Sequence, residues 1–349
     1  MASITRKTLR TLGIVLAVAV VIGGVKFVEF VLPGEPSEGH HVRFDGSIKL
    51  PRANALNVLD YMLIDDGSLY VASETSGAVY KIPVGAVFDP EPAIATFAGP
   101  PAAHGVAVAD STGTAFVTRS EANVVDAFDP VKMAKIASIK VADDADAIIY
   151  DRAADLLYVA SGDANMGTLI DPHTRAVVAV IPLGGKPEFP VWDSKAGIIY
   201  DALRDRDQIV VIDVATHAIV GRWSVPGCLA PTGMAMDFAN RVVFAACGGN
   251  ARIAVFDMDS HAVLATMPIG AHPDVVAFDP ALHRVYAAGK DGKFDVIEQI
   301  SRVSYRTLDR ISTHFGAHSL TFDPRTHKVY VGYASLLAAP RLAVFSSLP

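Results

Sequence analysis

The chain has 349 residues, a formal net charge of −7 and a pI near 5.9, with 51% apolar and only 19% charged residues. That balance excludes a general electrostatic attraction to nucleic acid or to anionic lipid. So apolar a chain calls for a fold that buries both faces of most of its sheets.

In chain order, the first signal is an export segment. Arg6, Lys7 and Arg10 precede an apolar run from Leu12 to Val25, which continues past Lys26 and Glu29 to Leu32. The run has the length of a signal-peptide core, and it spans a bilayer if the two charges snorkel, so residues 1–32 are a signal peptide or a membrane anchor. No clean small-x-small cleavage site follows, which favours the anchor, and the basic flank keeps the N-terminus cytoplasmic and sends the rest across. Residues 33–41 hold a polar Pro/Gly-rich linker that cannot build a core. Everything from 42 to 349 is read as one domain.

That domain is a repeat. An aromatic residue followed by small apolar ones recurs at Tyr70, Phe116, Tyr158, Tyr200, Phe244, Tyr286 and Tyr330, with spacings of 46, 42, 42, 44, 42 and 44. An Asp precedes the anchor by seven residues at Asp151, Asp193, Asp237, Asp279 and Asp323, by six at Asp110 and by five at Asp65. A period in the low forties with strand-like content is the signature of a four-stranded propeller blade, so the expected fold is an all-β, seven-bladed β-propeller. Blade five illustrates the strands, with Met234 to Met236, Val242 to Ala246, Ile253 to Phe256 and Val263 to Met267. The last blade offers only three strands before the C-terminus, whereas Val42 to Leu50 alternates as a strand without a blade; the expectation is that this N-terminal strand completes the last blade and closes the ring. Asp-Pro turns such as Asp171-Pro172 and Asp279-Pro280 are structural.

Tyr158-Val159-Ala160-Ser161, Tyr330-Val331-Gly332, Tyr70-Val71-Ala72-Ser73 and the strand Ile209-Val210-Val211-Ile212 give the chain its family likeness: it resembles the YVTN-type β-propeller repeat proteins, mostly exported from bacteria and archaea. The likeness covers nearly all of His41 to Pro349, although the eponymous tetrapeptide never appears verbatim and Phe116-Val117-Thr118-Arg119 comes nearest. It implies the propeller and export, and it transfers no catalytic residue, because such proteins range from surface-layer components to redox-enzyme domains.

Cys228 and Cys247 lie in one repeat of a chain with an export segment, which makes them a disulfide candidate. No P-loop, haem-attachment motif or Gly-x-Ser-x-Gly elbow is present. Trp192-Asp193 is not a WD40 signature, since it falls in an inner strand without copies at that register. Arg204-Asp205-Arg206-Asp207 reads as a solvated mixed-sign loop; with Arg119, Lys186, Lys290 and Lys293 it suggests a basic surface on one face, although its acidic neighbours speak against nucleic acid.

The register that carries chemistry lies twelve residues before each anchor, where the inner strands begin around one mouth of the channel: His104, Asp146, Glu188, Thr232, Asp274 and His318. Blade one, with its shorter first turn, contributes Asp60, with Val58 or Asn57 as alternatives, and Gly105 is the alternative in blade two. A merely wet, solvent-lined ring is the plain reading of such a mouth. Blades seven, one and two become neighbours when the ring closes, so His318, Asp60 and His104 form a candidate set for one divalent iron, manganese or zinc ion, with Asp274 and Glu188 placed to orient water or act as general base. The favoured function is an exported, envelope-held binding or scaffolding module rather than an enzyme, acting as a monomer on a protein or small-molecule ligand at the channel mouth. The alternative is a metal-dependent hydrolase or lyase at that mouth.

Overall fold

A computed structural model describes residues 35–85 and 92–348. The described residues form seven four-stranded antiparallel sheets and one short two-stranded ribbon. The first strand of each sheet packs against the first strand of the next, and that of the seventh, Ser319–Phe322, against that of the first, Leu59–Asp65. The chain is therefore an all-β, seven-bladed propeller. Export and anchoring were expected from residues 1–32, which lie outside the described residues; among the described residues no helix is long and apolar enough to cross a membrane.

The repeated aromatic explains the period. Each anchor sits on the second strand of its blade, is at most 5% exposed, and belongs to a different inter-blade core: Tyr70 between blades one and two, Phe116 between two and three, Tyr158 between three and four, and so on to Tyr330 between seven and one. One large side chain per blade thus fills one interface per blade, and full burial of each contributes about 1.5–3 kcal/mol.

The repeated Asp builds the turn after each inner strand. The Asp193 carboxylate accepts from the amides of Lys195 and Ala196, Asp237 from Ala239 and Asn240, and Asp279 from Ala281 and Leu282. Four residues after the Asp the chain turns left-handed, at Asp155, Gly197, Arg241, His283 and His327, as a type I turn followed by a left-handed residue requires. These aspartates are turn formers.

Val42–Lys49 pairs antiparallel with Arg341–Ser347 as the outermost strand of blade seven, with Val42 and Ile48 buried. Cys228, just before the inner strand of blade five (Pro231–Asp237), is bonded to Cys247 at the end of the next strand (Val242–Cys247), and both sulfurs lie in the core between blades four and five.

Candidate functional site

The ladder fixes which residues share a level. Opposite the anchors Tyr70, Phe116, Tyr158, Tyr200, Phe244, Tyr286 and Tyr330 stand Leu63, Ala107, Ile149, Val191, Ala235, Ala277 and Thr321. Three residues before each of these lie Asp60, His104, Asp146, Glu188, Thr232, Asp274 and His318. Asp60 therefore occupies the blade-one position, and Val58 and Asn57 do not; Asn57 is buried, its side chain tied to the backbone of Asn54 and Ala338. In blades one, two, three, five and six the ladder slips beside this residue, between Leu59 and Met62 in blade one and between Ala103 and Val106 in blade two, and such bulges re-aim side chains next to sites. Gly105 cannot replace His104 as the ring residue: a Cβ there would come within 2.7 Å of the Ile148 amide.

The ring divides into two chemistries. On the side of blades one to three, His104 Nδ1 hydrogen-bonds Asp60 Oδ2 and lies 3.4 Å from Asp146 Oδ1, while its Nε2 is 2.9 Å from Ser120 Oγ. On the side of blades four to seven, Arg204 pairs with Glu188 at 3.2 Å, Lys290 with Asp274 at 3.0 Å, and His318 Nε2 lies 3.4 Å from Asp274. His318 donates its Nδ1 proton to the Gly316 carbonyl. Of the expected ligand set of His318, Asp60 and His104, the structure brings Asp60 and His104 together with Asp146, while the His318 ring bonds Gly316 and faces Asp274. Thr232 turns to its neighbour and donates to the Pro273 carbonyl.

Burial and these pairings set the electrostatics. Burial disfavours the His104 imidazolium, yet Asp60, with Asp146 and Glu74 behind it, outweighs burial and pushes its pKa up to about 10. Burial raises Asp146 well above the carboxylate range, with the Asp60 and Glu188 charges adding to the shift and His104 opposing it. Burial lifts Glu188 to about 7 against the opposing Arg204. Asp274 goes the other way: burial would raise it, but Lys290 and His318 hold it below its usual value.

A second tier was missed from sequence. Four residues after each anchor, at the exit of the second strand, stand Glu74, Ser120, Gly162, Arg204, Gly248, Lys290 and Ala334. Three of them reach the ring residue of their own blade: Ser120 meets His104, Arg204 meets Glu188 and Lys290 meets Asp274. Counting forward from the anchor as well as back would have found them.

Below the ring, Tyr61 of blade one contacts Phe189 of blade four with ring centroids 4.8 Å apart. Blades one and four are not neighbours, so this contact crosses the axis, and Ala147 and Val275 from blades three and six join the same apolar cluster. The ring residues thus stand over an apolar floor, and this mouth of the channel is here called the cup. Beyond the floor, the opposite mouth has a cavity of about 380 Å³ between blades one to three, with Tyr61 and Phe189 in its lining and Asp65, Asp110 and Arg152 at its rim. Its rim charges are spent on one another, since Arg152 bridges Asp110 and Asp65.

The basic surface suggested by the sequence is absent. Arg119 is fully buried, with its guanidinium held by Asp126 and by the carbonyls of Gly77 and Pro100. Lys186 bridges Asp144 and Asp163, Lys290 serves Asp274, and Lys293 bonds Ser312. Nor is Arg204 merely solvated, since it reaches into the ring. Trp192 sits on the short inner strand of blade four (Val191–Asp193) and is buried.

No family model matches the chain, and no curated protein matches its sequence. Solved structures do. The chain is similar to the hydrazine synthase of Kuenenia stuttgartiensis, with a TM-score of 0.68 and 15% identity over 81% of this chain and 94% of that one. It is similar to the WD40 β-propeller domain of Doa1, with a TM-score of 0.71 and 11% identity over 87% and 97%, and to a chain of the mitotic checkpoint complex, with a TM-score of 0.70 and 13% identity over 89% and 95%. At such identities the likeness shows the propeller alone, a fold that serves as a binding or scaffolding platform in many settings.

Proposed function

We propose that the chain is an exported binding module of the YVTN-type propeller class, held at the outer face of the cytoplasmic membrane by its N-terminal segment, closed by its N-terminal strand, and taking its ligand in the ring-lined cup. One observation carries this reading. Seven in-register strand starts, with a second tier behind them, bring carboxylates, imidazoles, an arginine and a lysine to one mouth above an apolar floor, and convergent polar groups beside apolar surface are what small-ligand sites use. Because the cup offers both signs of charge, a small ligand bearing charged groups fits it better than a polyanion. The second reading is a metal-dependent hydrolase or lyase at the same mouth.

The ligand reading is tested by thermal shift with amino acids, dicarboxylates and polyamines on wild type, Glu188→Gln and Asp274→Asn. The reading expects a compound that stabilises wild type and not the ring variants. Stabilisation that survives both substitutions, or none across the panel, counts against it. A C-terminal reporter active only outside the cytoplasm tests the location, and inactivity contradicts export.

A further inference from the structure

We propose that the side of the cup formed by blades one to three binds a divalent first-row metal ion through Asp60, His104 and Asp146. The proposal deepens the ligand-site reading and rests on it. One donor atom from each residue lies within 4.8 Å of the other two, and the His104 Nδ1 to Asp146 Oδ1 distance is 3.4 Å. Donors bound at about 2.0–2.2 Å around one ion sit roughly 3 Å apart, so small rotamer changes complete the set.

Hydrogen bonding decides what faces that point. With Ser120 Oγ, 2.9 Å from Nε2, accepting the proton of that nitrogen, metal binding displaces the Nδ1 proton that Asp60 holds in the metal-free protein and presents the Nδ1 lone pair between two carboxylates. A partner on the far nitrogen is how metal-binding imidazoles are oriented. Without an ion, the Nδ1 proton of His104 occupies the space between the two carboxylates, and among the described residues no lysine or arginine pairs with either of them. Lys186 is taken by Asp144 and Asp163, Arg204 by Glu188 and Lys290 by Asp274. Glu74, four residues after its anchor in blade one, adds a further carboxylate to the same side, and blade three has only Gly162 at that level.

One nitrogen and two carboxylate oxygens suit manganese, iron or zinc, and the set is too small for calcium's all-oxygen shell. Three protein donors leave positions open to water or to a ligand. Ser120, His104 and Asp60 also have the connectivity of a hydroxyl–imidazole–carboxylate triad. The second carboxylate on the same nitrogen and the burial of Ser120, only 5% exposed, favour the metal.

The full chain, purified without chelator, stripped, and dialysed against Mn²⁺ or Zn²⁺, should retain about one ion per chain by elemental analysis. Asp60→Asn, Asp146→Asn and His104→Gln should each weaken binding by at least a hundredfold, Ser120→Ala by about tenfold, and Asp274→Asn and His318→Gln by less than threefold. Near-UV circular dichroism identifies variants that stay folded, and only those are compared; the two carboxamide variants keep the test open if His104→Gln does not fold. Failure of folded wild type to retain either ion overturns the proposal, as does equal retention by Asp60→Asn and Asp146→Asn, or labelling of Ser120 by a serine-directed fluorophosphonate. If no ion binds while Glu188→Gln and Asp274→Asn still abolish ligand stabilisation, the metal is wrong and the ligand site stands.

Discussion

The two sides of the cup have the same backbone register and opposite charge economies. On blades four to seven the carboxylates of Glu188 and Asp274 have a cation each, delivered from the second-strand exits as Arg204 and Lys290. On blades one to three, Asp60 and Asp146 share one imidazole, and the exits supply Glu74, Ser120 and Gly162 instead. One side gives each carboxylate its own lysine or arginine, and the other shares a single imidazole between two carboxylates, which an ion can replace. The difference teaches that a propeller repeat fixes where a side chain stands, while the exits of neighbouring strands decide what it can do.

The largest effect should come from breaking the ring where the two sides meet. Blade seven adjoins blade one there, and Val42–Lys49 is the outer strand of blade seven. A chain beginning at residue 40 should melt cooperatively, whereas one beginning at residue 52 exposes a sheet edge and loses burial worth about 2 kcal/mol for each of Val42 and Ile48. Loss of a cooperative transition only in the shorter chain supports closure by this strand; equal melting of the two contradicts it.

Next in size is the disulfide, which lies on the self-neutralised side. Cys228→Ser should lower stability by about 3 kcal/mol, from the loop entropy of a bond spanning 19 residues. It should leave metal retention unchanged, because blade five contributes no ligand, and a parallel loss of metal would show that the two sides are not independent.

A smaller effect marks the boundary between blades three and four. Asp201 accepts a hydrogen bond from Tyr158, and burial lifts its pKa to about 8, with Glu188 raising it further and the hydrogen bonds opposing. Its native value lies above its unfolded value, so the folded state holds a proton that the unfolded state releases. Its contribution is therefore full below about pH 4 and is lost as pH rises toward 8, and Glu188, lifted to about 7, acts in the same direction. His104, held up at about 10, extends the decline above pH 6.5, whereas His314, pushed down to about 4 by burial and by Arg341, removes stability as pH falls from 6.5 through 4. Asp201→Asn, which mimics the protonated form, should flatten the fall in melting temperature between pH 5 and about 8. An unchanged slope would mean that Asp201 is ionised in the native state.

Much of the fold was legible because each blade repeats the same two demands. One large aromatic per interface and one turn-forming Asp per inner strand leave a period that composition cannot hide, and the cysteine pair in one repeat pointed to the disulfide. The ring was legible for the same reason, since counting back from the anchor lands at one level in every blade but the first, whose turn is shorter. Partnerships within the ring were not legible. Whether His318 faces Asp60 or its own Gly316 carbonyl depends on the local path of a loop, and Arg204 looked solvated because its loop is mixed in sign. Arg119 looked superficial because it ends a strand, yet its partner Asp126 lies seven residues on and fully inside. Nor does the second tier announce itself by residue type, since Gly162, Gly248 and Ala334 share its level with Glu74, Arg204 and Lys290.

The central claim, that a metal ion is taken only by the side of the ring formed by blades one to three, is tested most directly by anomalous scattering from crystals of the protein grown with Zn²⁺ or Mn²⁺. The account predicts a single strong peak on the axis side of blades one to three, about 2.1 Å from His104 Nδ1 and bonded to Asp60 and Asp146. A peak between Asp274 and His318, or none in the cup, would contradict it.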